Sequence, residues 1–297
     1  MRRTCVALSV LLGLGSLVLL TPAAATWPGD NGRIVFTRGQ DGSRTTKIIS
    51  IDARGGHERT LASGRRDLFP SWSPNGTKIV FTRGGRDNNG VYVMDADGDN
   101  VRSVTGKTAR EEVTPSWSPN GRWILFAMED KGYLSVFKQR VDGSERTKLE
   151  EQASQPTWSP DGRKIAYVKA VGPDYEVFVM RADGSDPKRL TDNGPYDFGP
   201  QWSPGGGMLL VMRFSARNRG DIWKIAADGS WEKRLTDSRA AEGEAVWSPN
   251  GNLIAYNRSP FDGDGTEIWL MTSGGRFVRK LTDSAAGEST PDWQPRP

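Results

Sequence analysis

The stretch Trp72-Ser73-Pro74-Asn75-Gly76 decides the fold, because the chain repeats it. It returns as Trp117-Ser118-Pro119-Asn120-Gly121, Trp158-Ser159-Pro160-Asp161-Gly162, Trp202-Ser203-Pro204-Gly205-Gly206 and Trp247-Ser248-Pro249-Asn250-Gly251. A degraded last copy is Trp293-Gln294-Pro295. Successive tryptophans are 45, 41, 44, 45 and 46 residues apart. A period of this size marks a repeat architecture with one supersecondary unit per period. In each copy the tryptophan is a large apolar anchor. The proline presets φ, and Asn-Gly or Asp-Gly accepts positive φ at a hairpin.

Outward from the motif, each period offers four strand-like pieces, the first of which ends in the tryptophan. The second is a continuous apolar run such as Ile79-Val80-Phe81 or Ile165-Ala166-Tyr167, as expected of a strand covered on both faces. The third is Val91 to Met94 and its equivalents, followed in most periods by an Asp-Gly turn such as Asp142-Gly143. The fourth is short and partly basic, as in Lys188 to Thr191, which suits a protected sheet edge. Four antiparallel strands with an edge-like last one describe a propeller blade. At the front, Asn31 to Phe36 is a turn and second strand lacking a first. At the back, Thr290 to Trp293 is a first strand with no blade to follow. Pairing the two completes a sixth blade. The sequence thus predicts an all-β, six-bladed β-propeller closed by its C-terminal strand. Trp72, Trp117, Trp158, Trp202, Trp247 and Trp293 are its expected core, between neighbouring blades.

Residues 1–25 read differently. Arg2 and Arg3 precede an apolar run from Val6 to Leu20, and Pro22-Ala23-Ala24-Ala25 supplies small residues for cleavage. This is the pattern of a signal peptide, with residues 26–297 as the propeller. The expected location is secreted, periplasmic or in the cell envelope of a bacterial-type cell. The run is short for a spanning helix, so no membrane anchor is expected after cleavage. Cys5, the only cysteine, lies in this segment, which leaves the mature chain without disulfide or thiol chemistry. Loss of Arg2 and Arg3 takes the formal charge from +4 to +2. Acidic and basic residues are mixed along the chain, so no nucleic-acid footprint is expected.

Catalytic and metal-ligating groups are scarce. The one histidine, His57, stands at a predicted hairpin turn beside Gly55-Gly56, and no Gly-x-Ser-x-Gly elbow exists to pair with it. A zinc site would need more His or Cys, so no catalytic residue, metal or cofactor is expected. Asp262 to Glu267 alternates oxygen ligands like the start of a calcium loop without the twelve-residue pattern. A solvated hairpin loop is the expectation there.

One pattern does point to a site. Five positions before each tryptophan stand Asp67, Glu112, Ala153, Asp197, Glu242 and Glu288. Five carboxylates would ring one channel mouth. They would bind a cation, an amine or a basic peptide segment, or they would hold backbone N–H groups of their own loops. Leu68-Phe69, Tyr196-Asp197-Phe198 and Pro260-Phe261 place aromatics among polar residues on the same face, which suits a protein or peptide contact and equally the ordinary packing of long loops. Arg213, Arg217 and Arg219 would suit an acidic glycan or phosphate, or form an ordinary solvated charge run.

The string Trp-Ser-Pro-Asp/Asn-Gly, an Ile-x-Phe/Tyr strand, Ile/Val-Tyr/Trp-x-Met, Asp-Gly and Leu-Thr resembles the TolB-type β-propeller repeat. Leu190-Thr191-Asp192, Leu235-Thr236-Asp237 and Leu281-Thr282-Asp283 match its ending. The resemblance spans residues 31 to 295 and is to the propeller half alone. The family's α/β domain has no expected counterpart between Ala25 and Asn31. Similar propellers occur in prolyl-oligopeptidase-type peptidases and in oligogalacturonate lyases, so the resemblance specifies fold more than activity. The expectation is a monomeric, exported, non-enzymatic binding or scaffold propeller. It would meet a protein, a peptide or an envelope glycan at the channel mouth. The competing readings are a carbohydrate lyase or hydrolase using channel carboxylates, and a TolB-like structural component of the envelope.

Overall fold

A computed structural model describes residues 28–39, 45–85, 89–106, 110–193, 196–214, 219–260, 265–276 and 278–296. The expected signal segment, Arg217, Phe261 and residues 262–264 of the acidic loop lie outside the described residues.

The four-piece period becomes six four-stranded antiparallel sheets. Blade 2 runs outward from Asp67–Trp72 through Lys78–Arg83 and Gly90–Asp95 to Arg102–Ser103. Blade 3 is Glu112–Trp117, Trp123–Asp130, Tyr133–Arg140 and Thr147–Glu150, and blade 4 is Ala153–Trp158, Lys164–Val171, Asp174–Arg181 and Lys188–Arg189. Blade 5 is Asp197–Trp202, Met208–Phe214, Gly220–Ala226 and Glu232–Arg234, and blade 6 is Ala241–Trp247, Leu253–Ser259, Glu267–Thr272 and Arg279–Lys280. In blade 1 the C-terminal strand Gly287–Arg296 is innermost, followed by Asp30–Gly39, Thr46–Ile51 and Arg59–Gly64. Its register places Ile34 opposite Trp293 and Arg38 opposite Glu288. Each innermost strand touches the innermost strands on both sides, the last included, so the ring is closed.

Local chemistry explains the repeated turn. The Ser73 hydroxyl accepts the Lys78 N–H at 2.9 Å and donates to Asn75 Oδ1 at 2.8 Å, while the Gly76 N–H reaches the Ser73 carbonyl. Gly76 has φ 67°, and Gly121, Gly162, Gly206 and Gly251 share that left-handed geometry. All six repeat tryptophans are buried. Trp72 packs with Val35 and Ile48 of blade 1, Trp117 with Val80 and Val91 of blade 2, and Trp293 with Val246 and Ile268 of blade 6. The indole N–H of Trp117 also donates to the Ser71 carbonyl across the blade boundary, at 3.2 Å. Burying such a side chain contributes roughly 2–3 kcal/mol each.

Two features of the innermost strands depart from plain β geometry. A bulge interrupts the pairing of each with its neighbour. Three residues before each tryptophan, Phe69, Thr114, Gln155, Gly199, Glu244 and Thr290 have φ between 49° and 59°. Five of these six precede a proline. A proline there lacks a ladder N–H, which an innermost strand can spare.

Candidate functional site

The antiparallel order puts the start of every innermost strand and the end of every second strand on one face. The six positions expected to ring the mouth open these strands or, in blades 6 and 1, lie one residue into them. Asp67, Glu112, Asp197, Glu242 and Glu288 are nevertheless buried. Most meet an arginine from the second strand of their own blade. Arg83 donates to both oxygens of Asp67 at 2.7 and 2.8 Å, and Arg213 to both oxygens of Asp197 at 2.7 and 3.0 Å. Arg38 donates to Glu288 at 2.7 Å, and Arg258 approaches Glu242 to 3.4 Å. Each of these guanidiniums also lies over an aromatic ring: Phe81 and Tyr92, Trp223, Phe36 and Trp269 respectively. Burial alone would lower the pKa of Arg213. The hydrogen bonds that Arg213 donates to Asp197 and Glu232 outweigh it and raise the value.

Blade 4 has Ala153 where the acid stands elsewhere. Its second strand offers Lys169 in register with Ala153, and Lys169 turns to Glu150 at 2.9 Å. The acid has moved three residues upstream, and the ion pair is kept.

A threonine couples these carboxylates to neighbouring elements. Thr105, Thr191, Thr236 and Thr282 each accept a third-strand N–H, from Val91, Val177, Ile222 and Ile268, at 2.9–3.0 Å. Thr105 then donates to Glu112, and Thr282 to Glu288. Each of these two bonds crosses from one blade to the next. The threonine that ends the repeat is therefore an interblade fastener in blades 2 and 6, whereas Thr191 donates to Glu176 of its own blade.

Of the clamping arginines only Arg213 was among the expected candidates, and as a site for an acidic glycan or phosphate rather than as the partner of Asp197. Their signal was present: Arg83, Arg213 and Arg258 each follow their acid by sixteen residues, the span of one hairpin. Other expectations resolve case by case. Leu68, Phe69 and Phe198 are buried, while Tyr196 is 39% exposed. Tyr196 stands edge-on to Tyr175, with ring centroids 5.9 Å apart, and Tyr175 packs on Phe198. Arg213 is buried in its ion pairs and is not a free surface cation. His57 lies exposed in a turn, with Nδ1 2.8 Å from the Asp52 carboxylate. Among the described residues no three of His, Cys, Asp and Glu gather in a metal-holding group. No helix among them is long and apolar enough to cross a membrane.

The architecture and its mouth define a class: a closed six-bladed propeller whose face is held by buried acid–arginine clamps. Residues 100–296 match the family model described as the TolB beta propeller domain, and the chain belongs to that family. TolB from Acinetobacter baumannii superposes with a TM-score of 0.80 at 21% identity, over 91% of this chain and 68% of that one. A putative TolB from Agrobacterium tumefaciens gives 0.69 at 21% identity, over 88% and 92%. An oligogalacturonate lyase in complex with manganese gives 0.57 at 14% identity, over 86% and 85%. These likenesses establish the fold. Among curated proteins no relative matches.

Proposed function

We propose that the chain is an exported, non-enzymatic binding or scaffold module. Its partner is a protein or peptide of the cell envelope, met at the face where the innermost strands begin. The observation that carries this reading is the aromatic group at that face. Tyr196 is exposed yet braced by Tyr175 and Phe198, the arrangement of a rigid anchor for a protein contact. The acid–arginine clamps support the reading by fixing the rim, so that an incoming partner meets a surface already ordered. The TolB family match accords with such a role.

A pull-down from envelope extract with the protein and its Tyr196→Ala variant tests this, beside a turnover assay on oligogalacturonate. A partner retained by the parent and lost by the variant supports the module. Turnover of the polysaccharide, abolished by substituting a carboxylate of the mouth, would replace it with the enzyme reading.

A further inference from the structure

Glu112 departs from the other four acids. The position that supplies the clamping arginine in blades 1, 2, 5 and 6 is Met128 in blade 3, in register with Glu112. Among the described residues Arg146 comes nearest instead, from the turn before the outer strand, and its Nη1 stops 3.8 Å from Glu112 Oε1. That guanidinium is already engaged, donating to Gln139 Oε1 at 2.6 Å and to the Thr105 carbonyl at 3.0 Å. Glu112 Oε2 accepts the Thr105 hydroxyl and, at 3.2 Å, the Val91 N–H. Oε1 has no hydrogen-bond partner among the described residues, although Glu112 is only 1% exposed. A buried carboxylate oxygen left in this state is costly. Burial accordingly raises the Glu112 pKa, against the Thr105 bond and the Arg146 charge.

A cavity of about 190 Å³ opens beside it, between blades 2 and 3. Glu111, Glu112 and Glu129 line it, with Arg66, Arg83 and Thr82. Arg83 is already neutralised by Asp67 and Arg66 pairs with Glu111, so among the described lining residues negative charge is in excess. The Thr82 hydroxyl, on a residue 6% exposed, also lacks a partner among the described residues. Both oxygens belong to residues that line the cavity but are sealed from solvent, so a donor entering it reaches them only as lining side chains shift. The volume equals about six water molecules' share of the liquid, enough for a planar cationic head and the start of its stem.

We infer that this cavity takes a guanidinium or primary ammonium group on a flexible chain, in the role that Arg83, Arg213, Arg258 and Arg38 fill in other blades. The head donates to Glu112 Oε1 and Thr82 Oγ1, and Leu68 and Val113 border the aliphatic stem. A guanidinium fits the charge-assisted geometry well. The site rests on the module reading only for the source of the cation, which is either an arginine side chain of a peptide or a free small amine.

The test is calorimetric titration of the full chain with agmatine and with a blocked Gly-Arg-Gly peptide, its citrulline analogue serving as the neutral control. Saturable binding of either cation, and not of the citrulline peptide, is expected. The tighter of the two identifies the source. Met128→Arg supplies an internal guanidinium opposite Glu112 and should abolish binding without lowering the melting temperature. Glu112→Gln should weaken it by about tenfold or more, and it decides the matter if the arginine variant does not fold. Absence of saturable binding, or binding unchanged in both variants, overturns the inference. A partner captured through Tyr196 while neither cation binds overturns it too, and leaves the module reading standing.

Discussion

Asp292 accepts the backbone N–H of Trp72 at 2.6 Å, joining the last strand of the chain to the first strand of blade 2. On the other flank of that strand, Glu244 of blade 6 accepts the N–H of Thr290. The closing strand is thus held by a buried carboxyl on each side. Burial pushes both groups up to about 8, against the pull of those backbone bonds, from ordinary values of 3.8 and 4.5. Both folded values lie above the unfolded ones. The stability these groups contribute is therefore complete below about pH 4 and is lost as pH rises through 8. Asp292→Asn keeps an oxygen for Trp72 and removes the titration. Urea unfolding from pH 4 to 9 should show the variant gaining on the parent as pH rises, with the largest difference above pH 8. A difference that stays constant across the range would sink the assignment.

The closing strand itself should be indispensable. It supplies Trp293 to the core between blades 6 and 1, and Glu288 to both Arg38 and Thr282. Removing residues 287–297 exposes the edge of Asp30–Gly39 and opens the ring. The shortened chain should lose its cooperative thermal transition and its near-ultraviolet circular dichroism. A parent-like melt would show that the ring does not depend on this seam.

The clamps differ in strength, and substitution should rank them. Arg213 is buried and bidentate on Asp197, whereas Arg258 is more exposed and 3.4 Å from Glu242. Arg213→Met leaves Asp197 buried with, among the described residues, only the Asn193 amide as side-chain donor, at an expected cost of about 3–5 kcal/mol. Arg258→Met should cost distinctly less, since the Ser238 hydroxyl still donates to Glu242 at 2.6 Å. Chemical denaturation of both variants gives the order. Equal losses would mean that the arginines act through ring packing rather than charge.

How much of this was legible in the sequence depends on range. Trp72 and its repeats, the Ser-Pro-Asn-Gly turns and the complementary ends at Asn31 and Trp293 are local patterns whose spacing needs no partner to be read. The acids before each tryptophan were equally visible, but their role was not. A carboxylate at a mouth and one clamped beneath it share the same sequence position. What separates them is Arg83 or Arg213 on the facing strand, visible only once the antiparallel register is drawn. Asp292 and Glu244 were harder still. Their partners, Trp72 and Thr290, belong to neighbouring blades and offer backbone N–H groups that carry no residue identity. Tyr196 and Phe198 were read together as surface aromatics. Two residues apart, they take opposite fates, because Phe198 turns in against Phe214.

The bulge in the innermost strands yields a further variant. Pro70, Pro115, Pro156, Pro200 and Pro291 stand two residues before their tryptophans, and Ala245 takes that place in blade 6. Ala245 falls in the gap of its strand's register, between Gly243 and Val246, and is buried. The residue before it, Glu244, shares the left-handed φ of Phe69, Thr114, Gln155 and Thr290, each of which is followed by proline. The backbone of blade 6 is therefore already shaped for the ring. Ala245→Pro narrows the unfolded ensemble without straining the folded one, and should stabilise by about 0.4–1 kcal/mol. Thermal unfolding at pH 5, where Glu244 is protonated, isolates this effect from the titration of its neighbour. A fall in the midpoint would show that the Ala245 N–H has an acceptor after all, and that blade 6 departs from the other five at this position.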